Sequence, residues 1–371
     1  MIRRLAFALV LVVAVLGPTL SAAGVLVAFQ TAEDGGVARV EIDAEGRQSS
    51  PVVLFRATAF AAAAKLRVSA DGRHATLNAE TEGGENFAIL PLPAGTSRLL
   101  ALDFTPEEHR IDSAGRAYVG GTDGHLAALD LAGGAITHRW NSRHQLEPAG
   151  HKPEDLLVLE PEGLLLVSHQ KDSKKGRLGS RLVVLRLADL SLVADLPLPR
   201  DHPELHLSEK EAGPSPEVIR VDRATNTLLL TLDLYGALAF ADLDAALAGR
   251  LEHYLALPTS ADGAWGVSFA DRLALARVGD RSLAIVSNAS ADGGLAVFDV
   301  AARRRLAFYP VESGCAEPVL VNEGRTLATV VSGKRKRVLG DALENVTTPG
   351  TDLLLLDLAR AAAGDSAALV R

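Results

Sequence analysis

The sequence predicts an all-β chain: a single β-propeller, most simply of seven blades of four antiparallel strands. Two observations carry this. An apolar strand ending in Asp, then a turn, then a second apolar strand returns along the chain, at Asp43, Asp130, Asp242, Asp299 and Asp357. Arg186, in Val-Val-Leu-Arg-Leu, fills the same slot, so the later repeats are spaced by about 57 residues, a fixed period of the kind that marks repeat architectures. The Asp has a local reason, because its carboxylate accepts from backbone amides just beyond it and starts the turn. The second observation is that short apolar runs alternate with turn clusters such as Ala70–Gly72, Thr122–Gly124, Glu160–Gly163 and Ala291–Gly294, with no helical stretch of useful length between them.

The units run from Val25 to Thr58, which is one strand short, then Lys65 to Phe104, Glu108 to Trp140, Asp155 to Pro199, Val218 to Pro258, Trp265 to Val311 and Pro318 to Arg371. A lone four-stranded sheet leaves both faces wet. Radial packing buries each face against a neighbour and leaves short edges, whereas the rungs of a stacked β-solenoid are much shorter than these units.

The N-terminus reads as an address. Arg3 and Arg4 precede the apolar run Leu5–Leu16, then Gly17-Pro18 and the small residues Ser21-Ala22-Ala23, the order of a secretory signal peptide spanning residues 1–23. The alternative is a retained anchor, against which stands a run shorter than the roughly 20 residues a span requires. The expected mature chain is residues 24–371, periplasmic or secreted, with no membrane insertion after cleavage.

Composition narrows the function. The 371 residues are 48% hydrophobic but only 4% aromatic, so Leu, Val and Ala must build the core. The net charge of −8 argues against a general nucleic-acid binder. Cys315 is the single cysteine, so no internal disulfide forms. It is open to three readings: a small buried residue, a link to another chain, or a nucleophile.

Some segments resemble known repeats. Arg67-Val68-Ser69-Ala70-Asp71-Gly72-Arg73 resembles the opening of a YVTN-type propeller repeat, and Val297–Val300 followed by Leu306–Val311 resembles its close. Ala127–Asp130 through Gly133 to Trp140 resembles a PQQ-type repeat. The resemblance implies membership of the YVTN/PQQ-like, WD40-like propeller superfamily. That group includes lactonase-like enzymes, large subunits of amine dehydrogenases and binding modules. None of its functional residues maps onto this chain.

Two sets of residues are candidates for function. Three long loops adjoining the fourth unit hold His144, His151, His169, His202 and His206, half of the ten histidines. Imidazole is the commonest metal ligand, and loops of neighbouring blades can converge, but the spacing matches no ligand signature. Solvated loop histidines are the other reading. The second set is basic: Lys171, Lys174, Lys175 and Arg177 in the fourth unit, and Lys334, Arg335, Lys336 and Arg337 in the last. Both segments join the second and third strands of their blades, so both are expected on one face, on opposite sides of the channel mouth, where they would draw anions. The expected partner is an anionic ligand or an acidic protein.

No motif requires a cofactor: nucleophile elbow, haem-attachment and phosphate-cradling signatures are all missing from the sequence. Three functions stay open. The first is a binding or scaffold module working through its loop face. The second is a lactonase-like or metal-dependent enzyme using the histidine loops. The third is a non-catalytic subunit of a periplasmic redox complex.

Overall fold

A computed structural model describes residues 12–14, 25–31, 36–42, 52–56, 60, 65–69, 71–92, 95–146, 151–171, 180–200, 214–266, 268–288, 293–311, 315, 318–321, 324–330, 334–339, 342–347 and 353–370. Among them are seven four-stranded antiparallel sheets and one two-stranded hairpin. In chain order the sheets run Val12–Arg56, Lys65–Leu100, Pro106–Asn141, His151–Pro197, Pro216–Pro258, Ala270–Pro310 and Val319–Val370. Strands one to four lie side by side in every sheet, so each is a meander. Among the described residues helix is confined to short pieces such as α1 (Ser142–Gln145), α2 (Leu243–Leu247) and α3 (Leu358–Ala362).

The recurring Asp occupies one place. Asp130, Asp242, Asp299 and Asp357 are each the last residue of the third strand of their sheet. Their carboxylates accept the turn amides the sequence led one to expect: Asp130 from Ala132 and Gly133 (3.1 and 2.9 Å), and Asp299 from Ala302 (2.9 Å). Asp242 and Asp357 cap α2 and α3 through Ala245 and Arg360 (2.9 and 3.0 Å), satisfying amides a helix start leaves open. Arg186 ends the third strand of the fourth sheet, and there Asp189 takes over, accepting from Ser191 N at 2.9 Å. The second sheet ends its third strand in Pro91, which is why the period fails there.

The first sheet gains its fourth strand from Val12–Ala14, which pairs with Leu26–Ala28. These residues fall within the expected signal peptide, the rest of which lies outside the described residues. Without them this sheet has the three strands the sequence suggested. No described helix is long and apolar enough to cross a membrane.

The chain forms two compact units, residues 1–165 with 186–191, and residues 166–185 with 192–371. In the first unit, Phe87, Ile89, Phe104, Val119 and Leu129 are among the apolar residues packed between the second and third sheets. In the second, Phe240 and Phe298 meet edge to face at 6.2 Å within the core between the fifth and sixth sheets. Leu283, Ile285, Leu327, Leu354 and Leu356 join the sixth sheet to the seventh. These cores use Leu, Val, Ala and a few Phe, as the low aromatic content requires.

Candidate functional site

Within each unit the first strands of successive sheets adjoin. Lys65–Val68 lies against Pro106–Ile111, and that strand against His151–Leu159; in the second unit Pro216–Asp222 lies against Ala270–Val278. In a propeller these first strands line the central channel. In the first unit they carry a dense set of charges.

Glu108 is its centre. A β-bulge between Gly120 and Gly121 sets Glu107 as the extra residue of the Pro106–Ile111 strand, and bulges re-aim the side chains around them. The Glu108 carboxylate is 5% exposed as a residue and receives Arg110 Nη1 at 2.6 Å, Arg67 Nη2 at 3.0 Å and Lys65 Nζ at 3.4 Å. Burial works to raise its carboxyl, but Arg110, Arg67 and Lys65 together hold it well below the usual carboxylate range. Arg110 also donates to Asp155 at 2.5 Å. Lys152 bridges Glu107 (3.1 Å) and Glu154 (2.9 Å). Glu80 stands in their field, its carboxyl raised by partial burial and then by Glu107.

His109 adjoins this set and is fully buried. Its Nε2 meets Thr76 Oγ1 at 2.7 Å and its ring sits edge-on to Phe87 at 5.3 Å. Burial, with Arg67 next, pushes its pKa down to about 3, so the imidazole is neutral. The wall is therefore charged but internally paired.

The expected histidine site falls out as follows. His144 is exposed on α1, His169 is buried within the strand Leu164–Lys171, and His151 opens the strand His151–Leu159. His202 and His206 lie outside the described residues. No group of three or more His, Cys, Asp or Glu able to hold a metal occurs among the described residues.

Of the basic residues, Lys171 ends the second strand of the fourth sheet, while Lys174, Lys175 and Arg177 lie outside the described residues. Lys334–Arg337 begin a strand, Lys334–Leu339, which pairs with Ala342–Thr347 as a hairpin between the second and third strands of the seventh sheet. Cys315 is buried at 1% exposure, and burial lifts its thiol to about 12, which leaves it protonated and unreactive at neutral pH.

Sequence reasoning passed over Glu108, Arg67, Arg110 and Asp155, because they are separated along the chain and match no motif. The one available signal was Glu107-Glu108-His109-Arg110, four consecutive polar residues within one strand. A shallow pocket of about 610 Å³ borders the sixth sheet and α3, but Arg281 in it is already satisfied by Asp299 (3.2 Å) and the Ala362 carbonyl (2.7 Å).

Comparison with known proteins gives a fold. No family model and no curated protein sequence matches the chain. Solved structures do. A dihydro-heme d1 dehydrogenase, NirN, superposes with TM-score 0.62 at 13% identity over 92% of this chain and 63% of that one. The C-terminal WD40 domain of Sif2 gives TM-score 0.56 at 12% identity, covering 96% of this chain and 87% of that one. The hydrazine synthase of Kuenenia stuttgartiensis gives 0.55 at 12% identity, over 80% and 77%. At such identities the likeness speaks to fold alone. It agrees with the repeated four-stranded sheets: the chain has a β-propeller fold.

Proposed function

We propose that the protein is an exported β-propeller binding module, and that its loop face captures an anionic ligand or an acidic protein partner. The observation that carries this reading is the hairpin Lys334–Thr347. It stands between the second and third strands of the seventh sheet, and its first four residues are Lys-Arg-Lys-Arg. Lys171 starts the equivalent connection of the fourth sheet, which continues through Lys174, Lys175 and Arg177. In a meander of this kind, connections between second and third strands leave from one end of every sheet. The inner-strand charges support the same reading, since Glu108, Asp155, Glu107 and Glu154 are taken up by the chain's own cations. Recognition then falls to loops held on a rigid scaffold. The leader-like residues Arg3 to Ala23 support export.

The test exploits the net charge of −8. A protein that is acidic overall binds a polyanion only through a local basic patch. The mature protein is expected to be retained on immobilised dextran sulfate and released by added salt, because screening shortens the reach of exposed charges. Reversal of Lys334, Arg335, Lys336 and Arg337 to Glu is expected to abolish retention. Retention that ignores both salt and charge reversal overturns the reading.

A further inference from the structure

The hairpin set into the seventh sheet is itself a sheet of only two strands. Lys334–Leu339 and Ala342–Thr347 pair with each other and, among the described residues, with no third strand. In an antiparallel pair every second residue of a strand spends its N–H and C=O on its partner, and the residues between turn theirs outward. Each outer edge of the hairpin is thus a row of donors and acceptors, the template on which a further strand adds. A two-stranded hairpin alone is marginal in water, and a third strand is what makes such a sheet stable.

The register shows what fits along the first of these strands. Arg337 stands opposite Glu344, so one cation already has an acid across the pair. Lys334, Arg335 and Lys336 stand opposite Thr347, Val346 and Asn345, none of them acidic. Strand alternation puts Lys334 and Lys336 on one face of the hairpin and Arg335 and Arg337 on the other. The edge is therefore basic on both faces for four residues, then apolar for two, Val338 and Leu339. Opposite charges directly across a strand pair stabilise it and like charges destabilise it. A second copy of the strand is a poor occupant, because full antiparallel overlap sets Lys336 against Arg337 twice. A strand of acidic residues is a good one.

On the footing of the binding reading, we propose that an extended acidic segment of a partner protein adds to Lys334–Leu339 as a third strand. The edge also fixes the order of that segment. Antiparallel pairing is slightly the more stable per residue. The segment then begins with two apolar residues, opposite Leu339 and Val338, and continues with four acidic ones, opposite Arg337 back to Lys334. Main-chain hydrogen bonds supply the affinity and the alternating residues the specificity, as in other cases of strand addition to an open edge. A polyanion such as dextran sulfate shares the charge but has no backbone amides to pair.

The test uses the full, unmutated chain and fluorescence polarisation of a labelled peptide, Val-Val-Glu-Glu-Glu-Glu-amide. A second peptide is N-methylated at every Glu, which keeps each charge and removes the donors from both of its edges. The unmethylated peptide is expected to bind at least about tenfold more tightly, since each lost hydrogen bond is modest but several are lost together. The reversed peptide, Glu-Glu-Glu-Glu-Val-Val-amide, is expected to bind several-fold more weakly, and tighter binding by it overturns the assigned direction. Equal binding of the methylated and unmethylated peptides overturns strand addition while the charge-driven binding module stands. Failure of both peptides with dextran sulfate retained overturns it likewise; failure of dextran sulfate as well removes the binding reading itself. A dimer in sedimentation that the peptide dissociates would place a second copy on the edge and overturn the proposal.

Discussion

The seam between the second and third sheets and the seam between the fifth and sixth do the same mechanical task with different chemistry. Toward the inner edge of the first lie Lys65, Arg67, Thr76 and Asn78, facing Glu108, His109 and the carbonyls of Pro106 and Glu107. At the same level of the second lie Val218, Ala270 and Leu273, continuous with the apolar core around Phe240 and Phe298. The fifth and sixth sheets are also stitched by neutral bonds: Thr259 Oγ1 donates to Asn288 Oδ1 at 2.7 Å, and Asn288 Nδ2 returns to the Thr259 carbonyl at 2.9 Å. The charged seam is the costlier solution. Ions taken from water recover that cost only with near-complete pairing, and Arg67 Nε, Asn78 Oδ1 and His109 Nδ1 are buried with no partner among the described residues. Each such atom costs about 1–3 kcal/mol unless water reaches it. An apolar seam contributes stability; a charged one contributes register, since each partner fits one position.

The largest expected effects test that contrast directly. Phe298→Ala removes a ring with 0% exposure and should cost about 3–5 kcal/mol, whatever the salt or pH. Glu108→Gln leaves Arg67 beside a neutral amide while Arg110 keeps Asp155, and breaking a buried pair from one side costs about 3–5 kcal/mol. Replacing the set with apolar residues (Arg67→Met with Glu108→Leu) should recover a good part of that loss. Urea midpoints of the four proteins measure this. A double variant as unstable as Glu108→Gln alone would show that the ions contribute stability after all.

Acid separates the seams next. The His109 pKa is lowered from 6.5 to about 3 in the folded chain, so below pH 6.5 the unfolded state takes up a proton that the folded state refuses. The stability linked to this group is fully present above pH 6.5 and is lost as pH falls toward 3. Between pH 6.5 and 5 the loss approaches about 2 kcal/mol. Glu108, held well below its ordinary value, acts in the same direction once the pH drops through the carboxylate range. His109→Gln should flatten the profile between pH 5 and 6.5 while leaving its acid limb. An unchanged slope in that variant would place the proton uptake elsewhere.

How far the sequence could be read follows from the same contrast. The strand periodicity, the terminal Asp and the turn clusters are local signals, and the boundaries drawn from them match the sheets: a unit placed at Val218–Pro258 is a sheet at Pro216–Pro258. The inner-strand charges are invisible to such reasoning, because Lys65, Arg67, Glu108 and Asp155 become neighbours only when separate sheets pack. The five loop histidines drew attention as a cluster in sequence, whereas His109, buried in the seam, was passed over.

The smallest effect tests what the two regions share. Asp130 closes the third strand of the third sheet and Asp242 that of the fifth, one in each unit, and both carboxylates accept turn amides. This device is local: it satisfies backbone donors at the strand end and does not involve the seam behind it. Removing a cap of this kind costs about 1 kcal/mol, with a range of roughly 0.5–2. Asp130→Ala and Asp242→Ala should therefore cost similar amounts, although one sheet rests on an ionic seam and the other on an apolar one. Asp242 also faces Asn226 Nδ2 at 3.3 Å, which tilts the larger loss toward the fifth sheet by a few tenths. If Asp130→Ala proved several-fold more damaging than Asp242→Ala, the turn and the charged seam would be energetically coupled. A double variant with Glu108→Gln would then show a non-additive loss.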